Sequence, residues 1–241
     1  MRQGWQMPER IGCDITLCGA RLVALGSGAL FWPDRRLLCV SDLHLGKSER
    51  MARRGGTILP PYETRDTLDR LATDLERTGA RMVVCLGDSF DDPGAAAALR
   101  EDERLWIARL QAGRRWVWIE GNHDPGPVRL GGEHLAELAA PPLVFRHIAQ
   151  SSAKGEVSGH YHPKAAVRTR ARTVSRPAFL ADLGRIVMPA YGTYTGGLRS
   201  DDRALDRLMG PEAVAVLTGP VPCRVPMPRF RHPGQDGGAT D

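Results

Sequence analysis

The amino-acid sequence predicts a single α/β domain, and three features carry that prediction. Short apolar runs recur at Leu37–Val40, within Arg81–Leu86 and at Trp116–Ile119, each bounded by turn-forming residues as buried strands are. Two helix-like segments, Glu63–Thr78 and Ala95–Gln111, separate these runs, which is the alternation of a parallel crossover unit. Each run then leads into side chains that can bind a metal: Asp42 and His44, Gly87-Asp88, and Gly121-Asn122-His123-Asp124. Open α/β sheets place ligands at that carboxyl edge.

The elements follow in order. Asp14–Leu25 alternates polar and apolar residues around Cys18-Gly19-Ala20-Arg21 and reads as a hairpin. Gly28–Trp32 and Leu37–Val40 are strands, with Pro33-Asp34 as the turn between them. Ser48–Tyr62 has no clear period and holds Arg50, Arg53, Arg54, Gly55-Gly56 and Pro60-Pro61, so a loop or a broken helix is expected. Glu63–Thr78 carries Leu68, Leu71 and Leu75 on one face and stops at Gly79. Ala95–Gln111 has Leu99, Leu105, Trp106, Ile107 and Leu110 as its apolar positions. Later, Leu143–Phe145 ends near His147, and Glu156–Ser158 runs into Gly159-His160-Tyr161-His162. Ala165–Val174 reads as one half-exposed strand. Ala178–Leu180 and Ile186–Met188 flank Asp182-Leu183-Gly184 as a hairpin. Asp202–Met209 is a short helix and Val214–Leu217 the last strand. The domain is expected over residues 1–225, with a flexible tail at 226–241 rich in Pro, Gly and polar residues.

Composition narrows the function classes. The 241 residues suffice for a full core, and 33 Lys and Arg against 28 Asp and Glu leave a formal charge of +5. That modest excess permits a polyanionic partner without requiring one. No stretch approaches the roughly 20 apolar residues of a membrane span. Met1–Arg10 lacks the apolar centre of a signal peptide, so a cytoplasmic location is expected. The five cysteines form no Cys-x-x-Cys pair, which argues against a cysteine zinc site.

Residues i and i+2 at a strand end point the same way, so Asp42 and His44 are expected to project together. With Asp88, Asn122, His147, His160 and His162 they make a set of oxygen and nitrogen donors. Mixed imidazole and carboxylate donors suit Mn, Fe, Zn or Ni better than Mg or Ca. The ordered blocks Asp42-Leu-His44, Gly87-Asp88, Gly121-Asn-His-Asp124, His147 and Gly159-His-Tyr-His162 resemble those of the calcineurin-like metallophosphoesterase superfamily. Asp42-Leu-His-Leu-Gly-Lys47, Gly121-Asn-His-Asp-Pro-Gly126 and Pro189-Ala-Tyr-Gly-Thr-Tyr-Thr-Gly-Gly197 are similar to its DNA ligase-associated branch, described as DNA damage response endonucleases.

That resemblance implies two packed mixed β-sheets flanked by helices, an αββα sandwich. It implies two divalent metal ions, Mn first, clamping the attacking and leaving oxygens of an in-line phosphoryl displacement. Asp88 would bridge them. Asp42, His44 and His162 would complete one site, and Asn122, His147 and His160 the other. His123 would face the phosphate as general acid or charge stabiliser, with Asp124 holding its imidazole. The substrate implied is a phosphodiester, DNA or RNA, with a DNA ligase or repair nuclease as functional partner. Lys47, Arg50, Arg53 and Arg54 are candidates for binding backbone phosphates.

Alternatives stay open at this stage. The substrate could be a small phosphodiester or a phosphomonoester, and a fold of this kind could serve as a non-catalytic protein-binding scaffold. His134 rivals His147 as a ligand. Asp91 and Asp92 are either supports of the site or solvated turn residues. Tyr191, Thr193 and Tyr194 either line the cleft or pack a glycine-kinked hairpin.

Overall fold

The computed structural model describes residues 12–53, 55 and 59–230. Strands β1 (Gly12–Leu17) and β2 (Ala20–Leu25) form the expected hairpin. Its two-residue turn holds Cys18 at φ 47° and Gly19 at φ 83°, the left-handed pair that matches strand twist. β3 (Leu30–Trp32), a 3₁₀ turn at Pro33–Arg35 and β4 (Leu37–Val40) follow. Helices α1 (Lys47–Arg53) and α2 (Glu63–Thr78) lead to β5 (Met82–Leu86). Next come α3 (Pro93–Ala98), α4 (Glu101–Gln111), β6 (Arg115–Ile119), β7 (Glu133–Leu135), β8 (Glu137–Ala140) and β9 (Leu143–Arg146). The chain closes with β10 (Glu156–Ser158), β11 (Lys164–Arg168), β12 (Thr173–Ala181), β13 (Arg185–Val187), α5 (Arg203–Leu208), β14 (Val214–Leu217) and β15 (Cys223–Pro226).

These strands make two mixed sheets. The first runs β1 to β7 in chain order, antiparallel as far as β4 and parallel from β4 to β7. The second has the order β15-β14-β12-β13-β10-β9-β8, with β9, β10 and β13 parallel and β11 paired to β12. Two helix-covered outer faces and one inner face explain why the central strands read as unbroken apolar runs. In β4, Leu37 and Cys39 face inward with Phe145, Val157, Phe179 and Ile186 of the other sheet. Leu38 and Val40 face outward, against Leu68, Leu71 and Leu75 of α2 and Ile107 of α4. Leu205 of α5 and Met209 just after it cover the far side of the second sheet, over Leu180, Val187 and Ala215. The layers are therefore helix, sheet, sheet, helix.

Some expectations need correction. Ala95–Gln111 is two helices, because Leu99 and Arg100 adopt extended backbone between them. Asp92 caps α3 through Ala95 N–H, and Glu103 accepts from Arg100 N–H to start α4. Ala165–Val174 is not one strand: β11 and β12 form a hairpin whose turn lies at 169–172. Of the loop or broken helix expected over Ser48–Tyr62, the structure has a helical start, α1. Strands β7, β8 and β15 escaped the sequence reading because they are short and only partly apolar. Residues 226–230 are packed, with Met227 buried and Arg229 donating to the carbonyls of Met209 and Gly210. Arg54 and the rest of the expected tail, 231–241, lie outside the described residues. No helix among the described residues is long and apolar enough to cross a membrane.

Candidate metal centre

The loops that leave β4, β5, β6, β9 and β10 meet at one edge of the sandwich. They bring together Asp42, His44 and His162, whose ligand atoms lie within 4.8 Å of one another. They also bring together Asp88, His147 and His160 within the same limit. The first is the trio expected for one site; the second differs from the expected Asn122, His147 and His160 in having Asp88, the expected bridge, as a member. Asn122 joins the second, its Oδ1 3.0 Å from His147 Nε2. Asp88 Oδ2 lies 3.3 Å from His147 Nε2, and Asp42 Oδ1 lies 3.0 Å from His162 Nε2. His134 sits apart on β7, stacked on Trp118, and does not join the cluster.

Backbone conformation explains how Asp-x-His and His-x-His aim two side chains at one point. Asp42 and His44 are not on the strand: both have left-handed backbone, at φ 52° and 44°. His160 and His162 repeat this at φ 69° and 47°, and Asp88 sits at φ 45°. Each such non-glycine residue costs roughly 1 kcal/mol or more. Five of them consume a sizeable part of a typical domain stability of about 5–15 kcal/mol. Strain of that size in a cluster of donors marks a site held for chemistry. Two glycines are explained by crowding here. A Cβ on Gly121 would lie 2.1 Å from Asp88 N, and one on Gly159 would lie 1.9 Å from Ser41 Oγ.

Hydrogen bonds set the histidine tautomers. His147 Nδ1 is 2.9 Å from the Leu86 carbonyl, which can only accept, so Nδ1 donates there, and in the neutral ring Nε2 keeps the lone pair a cation needs. His44 Nδ1 is 2.8 Å from Asp91 Oδ1. Burial pushes the Asp91 carboxyl up, but the His44 hydrogen bond and the charges of His44, Lys47 and Arg50 outweigh it and hold the group below the usual carboxylate range. Asp91 therefore accepts, and His44 Nε2 is left with its lone pair. That Nε2 is buried without a hydrogen-bond partner among the described residues, and buried His162 Nε2 makes no aligned hydrogen bond there although Asp42 Oδ1 lies 3.0 Å away. Orphaned imidazole nitrogens beside ionised carboxylates fit a divalent cation. Asp88 shows the same balance: burial raises it, while His147 and the His123 N–H bring it down to about 2.

Two expectations change, and one reading left open for Tyr191 is decided. Asp124 does not hold the His123 ring. Its oxygens accept from the N–H groups of Gly121, Ser89 and Phe90, tying the β5 and β6 loops together. Burial, with the Asp88 charge, raises its carboxyl to about 6 despite those bonds. His123 Nδ1 instead donates to the Asp91 carbonyl at 3.0 Å. The α1 arginines are not free for phosphate: Arg50 pairs with Asp91, and Arg53 pairs with Glu49 and Asp92. Tyr191 does not line the cleft. It is fully buried, with its hydroxyl on Asp74 at 2.9 Å, and its backbone N–H holds the Ser41 carbonyl beside Asp42. Thr193 bonds to Asp66 and Thr67 of α2. Lys47 opens α1 within reach of the Asp91 charge.

Asp91 is thus a positioning residue that sequence alone left between two readings. Asp91→Asn removes the charge that fixes His44 and pairs Arg50. Metal affinity is expected to fall roughly 10- to 100-fold with the fold intact, read by titration of metal into stripped protein. Unchanged affinity would remove Asp91 from the site.

The calcineurin-like phosphoesterase family matches residues 35–212, a span that contains every donor described above. The chain belongs to this family. It is a metal-dependent phosphoester hydrolase, and its donor groups form a divalent metal site. Among solved structures, the crystal structure of Pseudomonas putida nuclease MPE is similar to it. The two share 28% identity with a TM-score of 0.67, over 85% of this chain and 96% of that one. No curated protein matches the chain. The family likeness read from the ordered blocks therefore holds, and the structural neighbour is a nuclease.

Proposed function

We propose that this phosphoesterase is a phosphodiesterase that cleaves nucleic acid at a two-metal centre, with manganese as its working ion. The observation that carries the reading is the pair of donor trios, Asp42, His44 and His162 beside Asp88, His147 and His160, joined to similarity with a nuclease over most of both chains. Bound divalent ions supply Lewis-acid charge and an activated water to an in-line displacement. The chain's own residues do the rest. Asp42, His44 and His162 would hold one ion and Asn122, His147 and His160 the other, with Asp88 shared between them. His123 points its free Nε2 at the scissile phosphate and stabilises or protonates the leaving oxygen. A DNA-repair role beside a DNA ligase or repair nuclease, in the cytoplasm, belongs to the same proposal and rests on the motif likeness.

The test is a substrate panel on stripped protein with Mn added back. Bis-p-nitrophenyl phosphate and DNA are expected to be hydrolysed and p-nitrophenyl phosphate hardly at all. Faster turnover of the monoester would replace this reading with a phosphomonoesterase. Hydrolysis of bis-p-nitrophenyl phosphate without cleavage of DNA or RNA would leave a small-molecule phosphodiesterase. A folded, metal-loaded protein inert on all of them would be a scaffold.

A further inference from the structure

The hairpin of β11 and β12 starts two residues after His162 and carries Lys164, Arg168, Arg170, Arg172 and Arg176. From Val157 to Ala181 there is no Asp or Glu. The whole chain has 33 basic and 28 acidic residues, so removing these five leaves 28 against 28. The formal excess charge of the protein is thus equal to the charge of this one hairpin. The contrast with α1 is direct, because Arg50 and Arg53 are held by carboxylates. No hairpin cation pairs with a carboxylate among the described residues; Arg176 donates to the Thr218 carbonyl. Arg168, Arg170, Arg172 and Arg176 are exposed, while Ala165 anchors the base of the hairpin in the core and Val167 packs against it.

We propose that this hairpin is the nucleic-acid docking arm of the enzyme, gripping backbone phosphates beside the one being cut. The proposal rests on the nucleic-acid reading above and names the surface that makes it work. Arg168 is six residues from His162, so it lies at most roughly 20 Å away along an extended chain. One strand of a duplex offers a phosphate about every 3.4 Å of axis, so several phosphates fall within the arm's reach while another occupies the metal centre. Exposed guanidinium groups without acidic partners suit bidentate phosphate contacts, which position a duplex without reading its sequence.

The test compares the metal-loaded full chain with Arg168→Gln/Arg170→Gln/Arg172→Gln, three exposed positions near the turn. Binding to a labelled duplex of about 20 base pairs is read by stopped-flow anisotropy across a salt series. The variant is expected to bind at least roughly tenfold more weakly at about 0.15 M salt, and the slope of log affinity against log salt to shrink by about 3. Hydrolysis of bis-p-nitrophenyl phosphate is expected to stay at the wild-type rate, and the Arg→Lys triple to keep most of the binding. Equal DNA binding by wild type and the Gln triple would overturn the proposal. So would loss of binding to phosphatidylserine vesicles with DNA binding intact, which would make the arm a membrane contact. If the wild type binds DNA through the arm but cuts no nucleic acid, the substrate reading fails and the arm stands.

Discussion

Asp88→Asn is expected to lower hydrolysis of bis-p-nitrophenyl phosphate on the order of a thousandfold, the scale of losing several kcal/mol of metal-derived charge stabilisation. The carboxylate is held at about 2 and is therefore ionised at any working pH, giving the second donor trio two equivalent ligand oxygens. An asparagine has the same shape but one oxygen and no charge. That oxygen can still accept the His123 N–H that Asp88 Oδ1 takes at 2.8 Å, so the loop should keep its place. The amide nitrogen then falls where Oδ2 was, 3.3 Å from His147 Nε2, and cannot ligate a cation. Bound metal, counted by elemental analysis after desalting, is expected to drop below two ions per chain, with the melting temperature of stripped protein little changed. A variant that retains two ions and the wild-type rate would show that Asp88 is not the bridge.

The donor set was legible because its chemistry is written in short blocks. Asp42-x-His44, Gly87-Asp88, Gly121-Asn122 and His160-x-His162 each combine a tight backbone with donor side chains, and the two trios contain the donors those blocks supply apart from Asn122, which reaches His147 beside them. The parallel half of the first sheet was legible for a related reason. Buried strands must be apolar on both faces, so Leu37–Val40 and Met82–Leu86 stand out from any surface segment.

What stayed hidden depends on partners far away in sequence. Asp124 is one residue from His123, and proximity suggested that it serves that ring. Its oxygens are instead taken by Ser89 and Phe90, on another loop. Asp91 looks like any acidic turn residue until folding places His44 on one oxygen and Arg50 on the other. The same pairing cancels the arginines that looked most available for phosphate. Their motif position near Asp42 was informative about place and uninformative about charge, because the neutralising carboxylates arrive from the β5 loop. The Ala165–Val174 stretch gave the opposite error. Its alternation of Arg, Thr and small residues read as one strand, and only the turn at 169–172 turns it into an arm.

His123→Ala carries the second large effect, a fall in kcat of about 10²- to 10⁴-fold, the range of a positioned general acid or base. The imidazole is anchored through Nδ1–H on the Asp91 carbonyl, so the nitrogen left for chemistry is Nε2. Its ring stands edge-on to His44 with centroids 5.2 Å apart, outside the Asp42, His44 and His162 trio but grouped with His44 and Asp91 as a further set of potential donors. With Nδ1 bonded to the Asp91 carbonyl and Nε2 assigned to the phosphate, metal content is expected to survive the substitution, which separates this loss from that of Asp88→Asn. The leaving group decides what the ring does. Nitrophenolate departs without a proton, whereas the alkoxide of a nucleic-acid sugar needs one. A proton donor at Nε2 predicts a much larger loss on DNA than on bis-p-nitrophenyl phosphate. Equal losses on both would assign His123 to stabilising charge on the phosphoryl oxygens. Wild-type rates on both substrates, with both ions bound, would remove His123 from the reaction and leave the metal centre to act without it.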